Sequence, residues 1–385
     1  MRVLVVLLAL AAAQGAERRV ITTPGGVRVG PYSLGILAGD YLYVSGQGAI
    51  DSSGRIPATF DAQARLTLDN VKSIVEAAGL TMEHVVYTQV YLTDLANLAA
   101  FDRVWAGYFA KNPPARATLG VARMPVSTPV EVTAVAIRDL AAKESIDGAV
   151  VTHDRVFLSG ILGRGADAAA QVEDALTRAE GVLRRAGASL AHLVFVNPYL
   201  TASMPMEVMN RVYARRFEVG YTPARATIRV ASLPQGASFE LTGVAVRDLR
   251  DRRVVRPRNM PLSPTASPCV FAVDTLYCSA KSAFIPGPNS GIYASTVEHQ
   301  VRQTMRNLLD GLEEAGLDFS HVVATNVYLD SIDEFPKMNA TYAGYFGTAP
   351  PTRTTVQPLA PVERKPDDRS RWPMIEQISL IAVRR

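Results

Sequence analysis

From residue 61 to residue 78 the apolar positions Leu66, Val71, Ile74, Val75 and Ala78 recur at helical spacing, and Gly79 supplies a stop. This predicts a helix. Tyr41–Gln47, after a Gly39-Asp40 turn, reads as a strand, as do His84–Thr93, Arg116–Val121 and Val130–Arg138. Leu98–Ala110 reads as a second helix that ends before Pro113-Pro114. With one strand expected ahead of Tyr41, the order is β-β-α-β-α-β-β, an α+β layer with both helices on one face of a sheet. In the last strand Val130, Val132, Ala134 and Ala136 alternate with Glu131, Thr133 and Val135, so the helix-free face is also partly apolar. A single unit of this kind cannot bury both faces. It needs similar sheets to pack against.

The chain supplies them. The segment Pro114-Ala115-Arg116-Ala117-Thr118 returns as Pro223-Ala224-Arg225-Ala226-Thr227 and as Pro351-Thr352-Arg353-Thr354-Thr355. Each is followed by a strand with a glutamate, Glu131, Glu240 and Glu376. Exactly repeated spacing is the signature of fused copies, and 109 residues separate both Arg116 from Arg225 and Glu131 from Glu240. An aromatic-rich helix also recurs, with Phe101, Trp105 and Phe109, then Tyr213 and Phe217, then Tyr342, Tyr345 and Phe346. These rings are expected in the core. Strands opening at His84, His192 and His321 complete the match. Three domains are expected at 19–140, 145–249 and 259–385, with linkers at 139–144 and 248–262. The second linker holds Arg250, Arg252, Arg253, Arg256 and Arg258 and reads as a solvated connector. An insert, 362–372, lengthens the last loop of copy three. Three sheets packed together would make the chain an intramolecular pseudo-trimer.

Composition changes this picture little, because an apolar fraction of 48% with 20% charge and a net charge of +4 is ordinary for a globular chain. The first residues are different. Met1-Arg2, an apolar run to Ala13 and the exit Gln14-Gly15-Ala16 have a signal-peptide layout, assigned to 1–16, which predicts export. The run is shorter than the ~20 residues of a membrane span, so no membrane association is expected after cleavage. Cys269 and Cys278 flank a predicted two-strand turn. They bridge if the register sets them opposite and stay as buried thiols otherwise.

The candidate chemistry lies in the arginine-then-glutamate pair. Arginine offers a fork matched to a carboxylate. A half-buried glutamate holds a water or shuttles a proton. Alternatively the two simply pair as an inter-strand salt bridge. The three histidines either meet as a metal triad or cap helix-to-strand corners; capping is expected, and no metal.

Gly30-Pro31-Tyr32-Ser33, Val44-Ser45-Gly46-Gln47, Leu68-Asp69-Asn70-Val71 and Pro114-Ala115-Arg116 with Glu131 closely resemble the RidA/YjgF family of imine/enamine deaminases. The resemblance covers nearly all of copy one and, more weakly, copies two and three. It implies chorismate-mutase-like domains with clefts between neighbours, no cofactor or metal, and hydrolysis of 2-imino or 2-enamino acids to 2-keto acids and ammonia. By this resemblance Arg116, Glu131, Tyr32 and Ser45 are catalytic. Thr118, Gly46, Arg225, Thr227, Glu240, Arg353, Thr355, Glu376, Asn210 and Asn339 bind the substrate, a small carboxylate.

The copies also depart from the family. Where copy one has Tyr32, copies two and three align as Ile146 and Ala266, and Ser45-Gly46-Gln47 becomes Ser159-Gly160-Ile161 and Ser279-Ala280-Lys281. Asp102 replaces the asparagine seen at Asn210 and Asn339 and adds negative charge beside an anion site. One good cleft and two altered ones are expected. A non-catalytic carboxylate or partner binder is the alternative reading. An RNA-cleaving role would need a basic groove, and only the linker arginines offer one, so no nucleic-acid partner is expected.

Overall fold

The computed structural model describes residues 18–258, 260–286 and 291–384. The expected leader, 1–16, lies outside the described residues. Copy one runs β1 (Arg19–Ile21), β2 (Gly35–Ala38), β3 (Tyr41–Gly48), α1 (Phe60–Ala77), β4 (Val85–Leu92), α2 (Leu98–Tyr108), β5 (Ala115–Gly120) and β6 (Val130–Ile137). Helix α1 starts where Thr59 accepts a hydrogen bond from the Ala62 N–H, and it buries Leu68, Val71, Ile74 and Val75. It stops at Gly79, whose φ of +84° suits glycine. The sheet order is β1-β2-β3-β6-β4-β5, with β4 and β5 parallel across the α2 connection.

Copy two repeats this as β7 (Glu144–Ile146), β8 (Ala149–Val151), β9 (Arg155–Leu162), α3 (Ala168–Arg185), β10 (Leu193–Leu200), α4 (Met206–Ala214), β11 (Ala224–Arg225), β12 (Ile228–Arg229) and β13 (Phe239–Val246). Copy three follows with β14 (Arg252–Val255), β15 (Cys269–Ala272), β16 (Thr275–Lys281), α5 (Val297–Glu314), β17 (Val322–Leu329), α6 (Phe335–Tyr342), β18 (Thr352–Val356) and β19 (Glu376–Val383).

Each copy thus opens with one more strand than the pattern predicts. Strands β1, β7 and β14 are short edge strands, too brief to show a two-residue period. The third falls on the basic linker, which is therefore no solvated connector there. Arg252 donates to the carbonyls of Leu193 (3.0 Å) and Tyr221 (2.6 Å), and Arg253 lies 4.5 Å above the Phe271 ring.

The helices cover one face of each sheet, and the other faces meet. Ile36, Tyr43 and Val86 of copy one, Val150 and Phe157 of copy two, and Val323 and Val383 of copy three form one buried cluster. Strand β5 packs on β9, β11 on β16, and β18 back on β3. Arg155, 1% exposed, joins all three copies. It bonds Asp274 (3.1 Å) and Thr275 (2.9 Å) of copy three and lies 4.3 Å above the Tyr41 ring of copy one.

In copy three the register pairs Cys269 with Cys278, and the two form a disulfide with Cα atoms 4.0 Å apart beneath Gly311 of α5. Such a short closed loop contributes about 2–3 kcal/mol. The double substitution Cys269→Ala/Cys278→Ala should therefore unfold copy three at lower denaturant, and dithiothreitol should do the same to the parent. Unchanged midpoints in both experiments would rule out this contribution.

Candidate functional site

Each arginine sits early in the strand that follows the proline-rich turn, and that strand packs on the next copy. The clefts therefore pair residues from different copies. In the cleft between copies three and one, Arg353 is 3% exposed and donates to Asn339 Oδ1 at 2.6 Å. Asn339 and Tyr342, three apart on α6, share a helix face. The guanidinium lies 4.9 Å from the Tyr342 ring centroid, 5.3 Å from Phe335 and 5.2 Å from Tyr32 of copy one. Gly30 permits this approach, since a Cβ there would stand 2.5 Å from Arg353 Nη2.

Copy one supplies the opposite wall. Glu131 on β6 pairs with Gly48 on β3, next to a bulge between Val44 and Gln47. The bulge sets Gly46 against Glu131, so a side chain there would collide with Oε1. Gln47 Nε2 donates to Ser45 Oγ (2.8 Å), which donates to the Leu34 carbonyl (3.1 Å). The Tyr32 hydroxyl accepts from the Val29 N–H (3.1 Å). Burial pushes the Glu131 carboxyl up to about 8, and the charge of Arg353 opposes that rise. Val29, Tyr32, Gly46, Gln47, Glu131, Arg353 and Thr355 line a pocket of about 40 Å³. The Thr355 hydroxyl is buried with no hydrogen-bond partner among the described residues.

The cleft between copies one and two differs at its centre. Arg116 forms a 2.7 Å ion pair with Asp102 and lies 4.9 Å from the Trp105 ring. Its neighbour is Glu240 of copy two, also pushed up to about 8 by burial, with Arg116 opposing. Thr118 lies two residues further along β5 and is buried. Gly160 again leaves room for the carboxylate. Ile146 does not replace Tyr32. It pairs with Ala149 as Ile21 pairs with Gly35, and residues 22–34 of copy one shrink to Asp147-Gly148. This cleft has lost its covering loop.

In the cleft between copies two and three, Arg225 donates to Asn210 (2.8 Å), lies 5.1 Å from the Tyr213 ring, and its backbone N–H donates to Ser279 Oγ (2.8 Å). Glu376 does not belong here. Tyr91 pairs with Glu131 and Tyr199 with Glu240, but Tyr328 pairs with Gln377. A one-residue shift turns a strand side chain to the other face. Glu376 accordingly lies under α5, where Thr304 hydrogen-bonds it.

Three expectations are corrected by this geometry. Arg116 and Glu131 face different clefts, and Glu131 meets Arg353 instead. The third glutamate is replaced by Gln377. No arginine among the three pairs with the glutamate of its own copy among the described residues. The aromatic helices, expected to serve the core alone, also carry the guanidinium groups; Gly30 and Gln47, quoted only as part of the resembling segments, make room for Arg353 and line the pocket, and Phe335 lines it without having been singled out. Backbone N–H groups of Thr81, Ser189 and Asp318 donate to His84, His192 and His321, which cap their corners as expected. Among the described residues no His/Cys/Asp/Glu cluster suits a metal. A cavity of about 100 Å³ between the three sheets, bordered by Tyr43, Gln89, Asn197 and Asn326, has no carboxylate in its lining among the described residues.

The model of the family described as Endoribonuclease L-PSP matches residues 26–138, 139–247 and 264–361. The chain belongs to the RidA/YjgF (endoribonuclease L-PSP) family. It carries three copies of the family's domain, and the third match ends where the insert begins. A 2-iminobutanoate/2-iminopropanoate deaminase of Escherichia coli K12 is 37% identical over 126 residues, 32% of this chain and 98% of that protein. A RutC family protein of Saccharolobus solfataricus is 38% identical over 110 residues, 28% of this chain and 87% of that protein. The crystal structure of the E. coli YjgF gene product is 37% identical and covers 31% of this chain and 99% of its own, with a TM-score of 0.30.

The raised Glu131 carboxyl sets a pH-dependent stability. Its neutral form is favoured by folding, so the stabilisation is full below its ordinary value of 4.5 and is lost as pH rises through about 8. Glu131→Gln should melt with the parent at low pH and progressively above it toward alkaline pH. A melting difference that does not vary with pH would contradict the assignment.

Proposed function

We propose that this RidA/YjgF chain hydrolyses 2-imino and 2-enamino acids to 2-keto acids and ammonia. The reaction takes place in the cleft between copies three and one. The observation that carries this reading is a buried Glu131 facing an arginine that no protein carboxylate neutralises by contact, and burial pushes the Glu131 carboxyl up to about 8, which favours its acid form at neutral pH. Arg353 takes the substrate carboxylate in its fork, held in place by Asn339 and three aromatic rings. For an enamine, the Glu131 proton goes first to the terminal carbon, and the carboxylate so formed takes a proton back from the iminium nitrogen, which gives the imine and restores the neutral carboxyl. The neutral carboxyl then donates its proton to the imine nitrogen while its carbonyl oxygen accepts one from the attacking water. The carbinolamine so formed collapses to the ketone and releases ammonia. The three copies act as an intramolecular pseudo-trimer, and the deaminase name of the E. coli relative supports this chemistry.

The small pocket suits a short acid, and two of the linker arginines are engaged in strand contacts, which leaves the RNA-cleaving reading without a groove. The altered second and third clefts favour the non-catalytic binder as the second reading. Export is part of the proposal, supported by the leader-like first residues and by a disulfide of the kind found in oxidising compartments.

The test is ammonia release from enzymatically generated imino acids. Arg353→Ala and Glu131→Gln should each lower kcat/KM by about 10²-fold or more, whereas Arg116→Ala and Arg225→Ala should retain activity. Because the acid form of Glu131 is required, kcat/KM should fall as pH rises through about 8. Loss of activity in Arg116→Ala alone would overturn the assigned cleft. Keto-acid binding without ammonia release would establish the binder instead.

A further inference from the structure

The cleft between copies two and three has kept its arginine and its cover but changed its charge balance. In the sequence 256–268 correspond to 22–34 of copy one, and of the described residues among them Ser267 N–H bonds the Pro223 carbonyl (3.0 Å), as Ser33 N–H bonds the Pro351 carbonyl. Arg225 is held by Asn210, the Met209 sulfur and the Tyr213 ring, all uncharged, without the ion pair that neutralises Arg116. On the opposite wall, Lys281 stands at the strand position of Gln47, and in the first cleft Gln47 and Arg353 line one pocket.

No carboxylate answers these two cations from the glutamate position, which holds Gln377. Ala280 replaces the glycine that makes room for a carboxylate in the other copies. Asp310, which draws on Lys281, is itself paired with Arg306 at 3.1 Å. Both Arg225 and Lys281 are partly buried, and that burial lowers the pKa of each. Lys281 has no hydrogen-bond partner among the described residues. The Thr227 hydroxyl is buried and likewise without a partner among them. Two desolvated cations and an unused hydroxyl form a costly arrangement unless an anion completes it. Ala266 stands at the position of Tyr32, so no aromatic ring from that position covers Arg225 as Tyr32 covers Arg353.

We infer that this cleft binds a small dicarboxylate, one carboxylate on Arg225 and the other on Lys281, and does not hydrolyse it. The first cleft offers a single cation and takes monocarboxylates. With Gln377 replacing the glutamate, the third copy has no acid in that place to pass a proton to bound ligand.

The test is calorimetric titration of the Arg353→Ala protein, whose first cleft is disabled, with 2-oxoglutarate and with 2-oxobutyrate. The dicarboxylate should bind with the higher affinity. Adding Lys281→Gln, the residue copy one carries, should weaken 2-oxoglutarate by about tenfold or more and change 2-oxobutyrate by less than about twofold. Adding Arg225→Ala should abolish both. If Arg353→Ala does not fold, the same comparison on the unmutated background must show Lys281→Gln reducing the preference for the dicarboxylate. Failure of 2-oxoglutarate to bind, or an equal effect of Lys281→Gln on both acids, would overturn the inference. Because the readout is binding without Arg353, it stands or falls separately from ammonia release.

Discussion

A sheet with helices on only one side leaves its other face to be covered, and that requirement governs this molecule. Tyr43, Phe157, Val323 and their neighbours would otherwise expose a broad apolar surface. The three sheets cover one another instead. Arg155 marks how closely they fit, because a buried guanidinium survives only where its partners satisfy it from every side. Its contacts reach one residue set in each copy, so the joint depends on all three.

Chemistry follows from that packing. A strand pressed against the next copy must present its arginine to the glutamate of a neighbour, and so every cleft is composite. Three separate identical subunits would carry any substitution into all of their clefts at once. In a fused chain each cleft changes alone. Asp102 pairs with one arginine, the missing covering loop opens the same cleft, and Gln377 with Lys281 alters another, while the cleft of Arg353 and Glu131 keeps its arginine, its glutamate and its cover.

Much of the fold was legible because it is local. The helix at Phe60–Ala77 and the strands at Tyr41–Gly48 and Val85–Leu92 follow from periodicity and turn residues within each segment. The edge strands of three or four residues were not legible, since so short a run shows no period. The site was legible by residue type but not by partnership. Arg116 and Glu131 lie close in sequence, yet which arginine faces which glutamate depends on packing between distant segments. Glu376 was misplaced for a simpler reason. The apolar residue and glutamate of Val130-Glu131 match Ile375-Glu376 by type, but Arg384 answers to Arg138, and the same seven-residue step back brings Gln377 to the glutamate position.

The complete cleft joins the first copy to the last. In a chain made from its N-terminus, copy one with Glu131 emerges early and stays half-built until β18 arrives with Arg353. The pocket therefore exists only once synthesis has finished and the last sheet has docked. A chain interrupted anywhere before residue 353 lacks the arginine that faces Glu131, so the order of domains leaves an unfinished protein without its complete cleft.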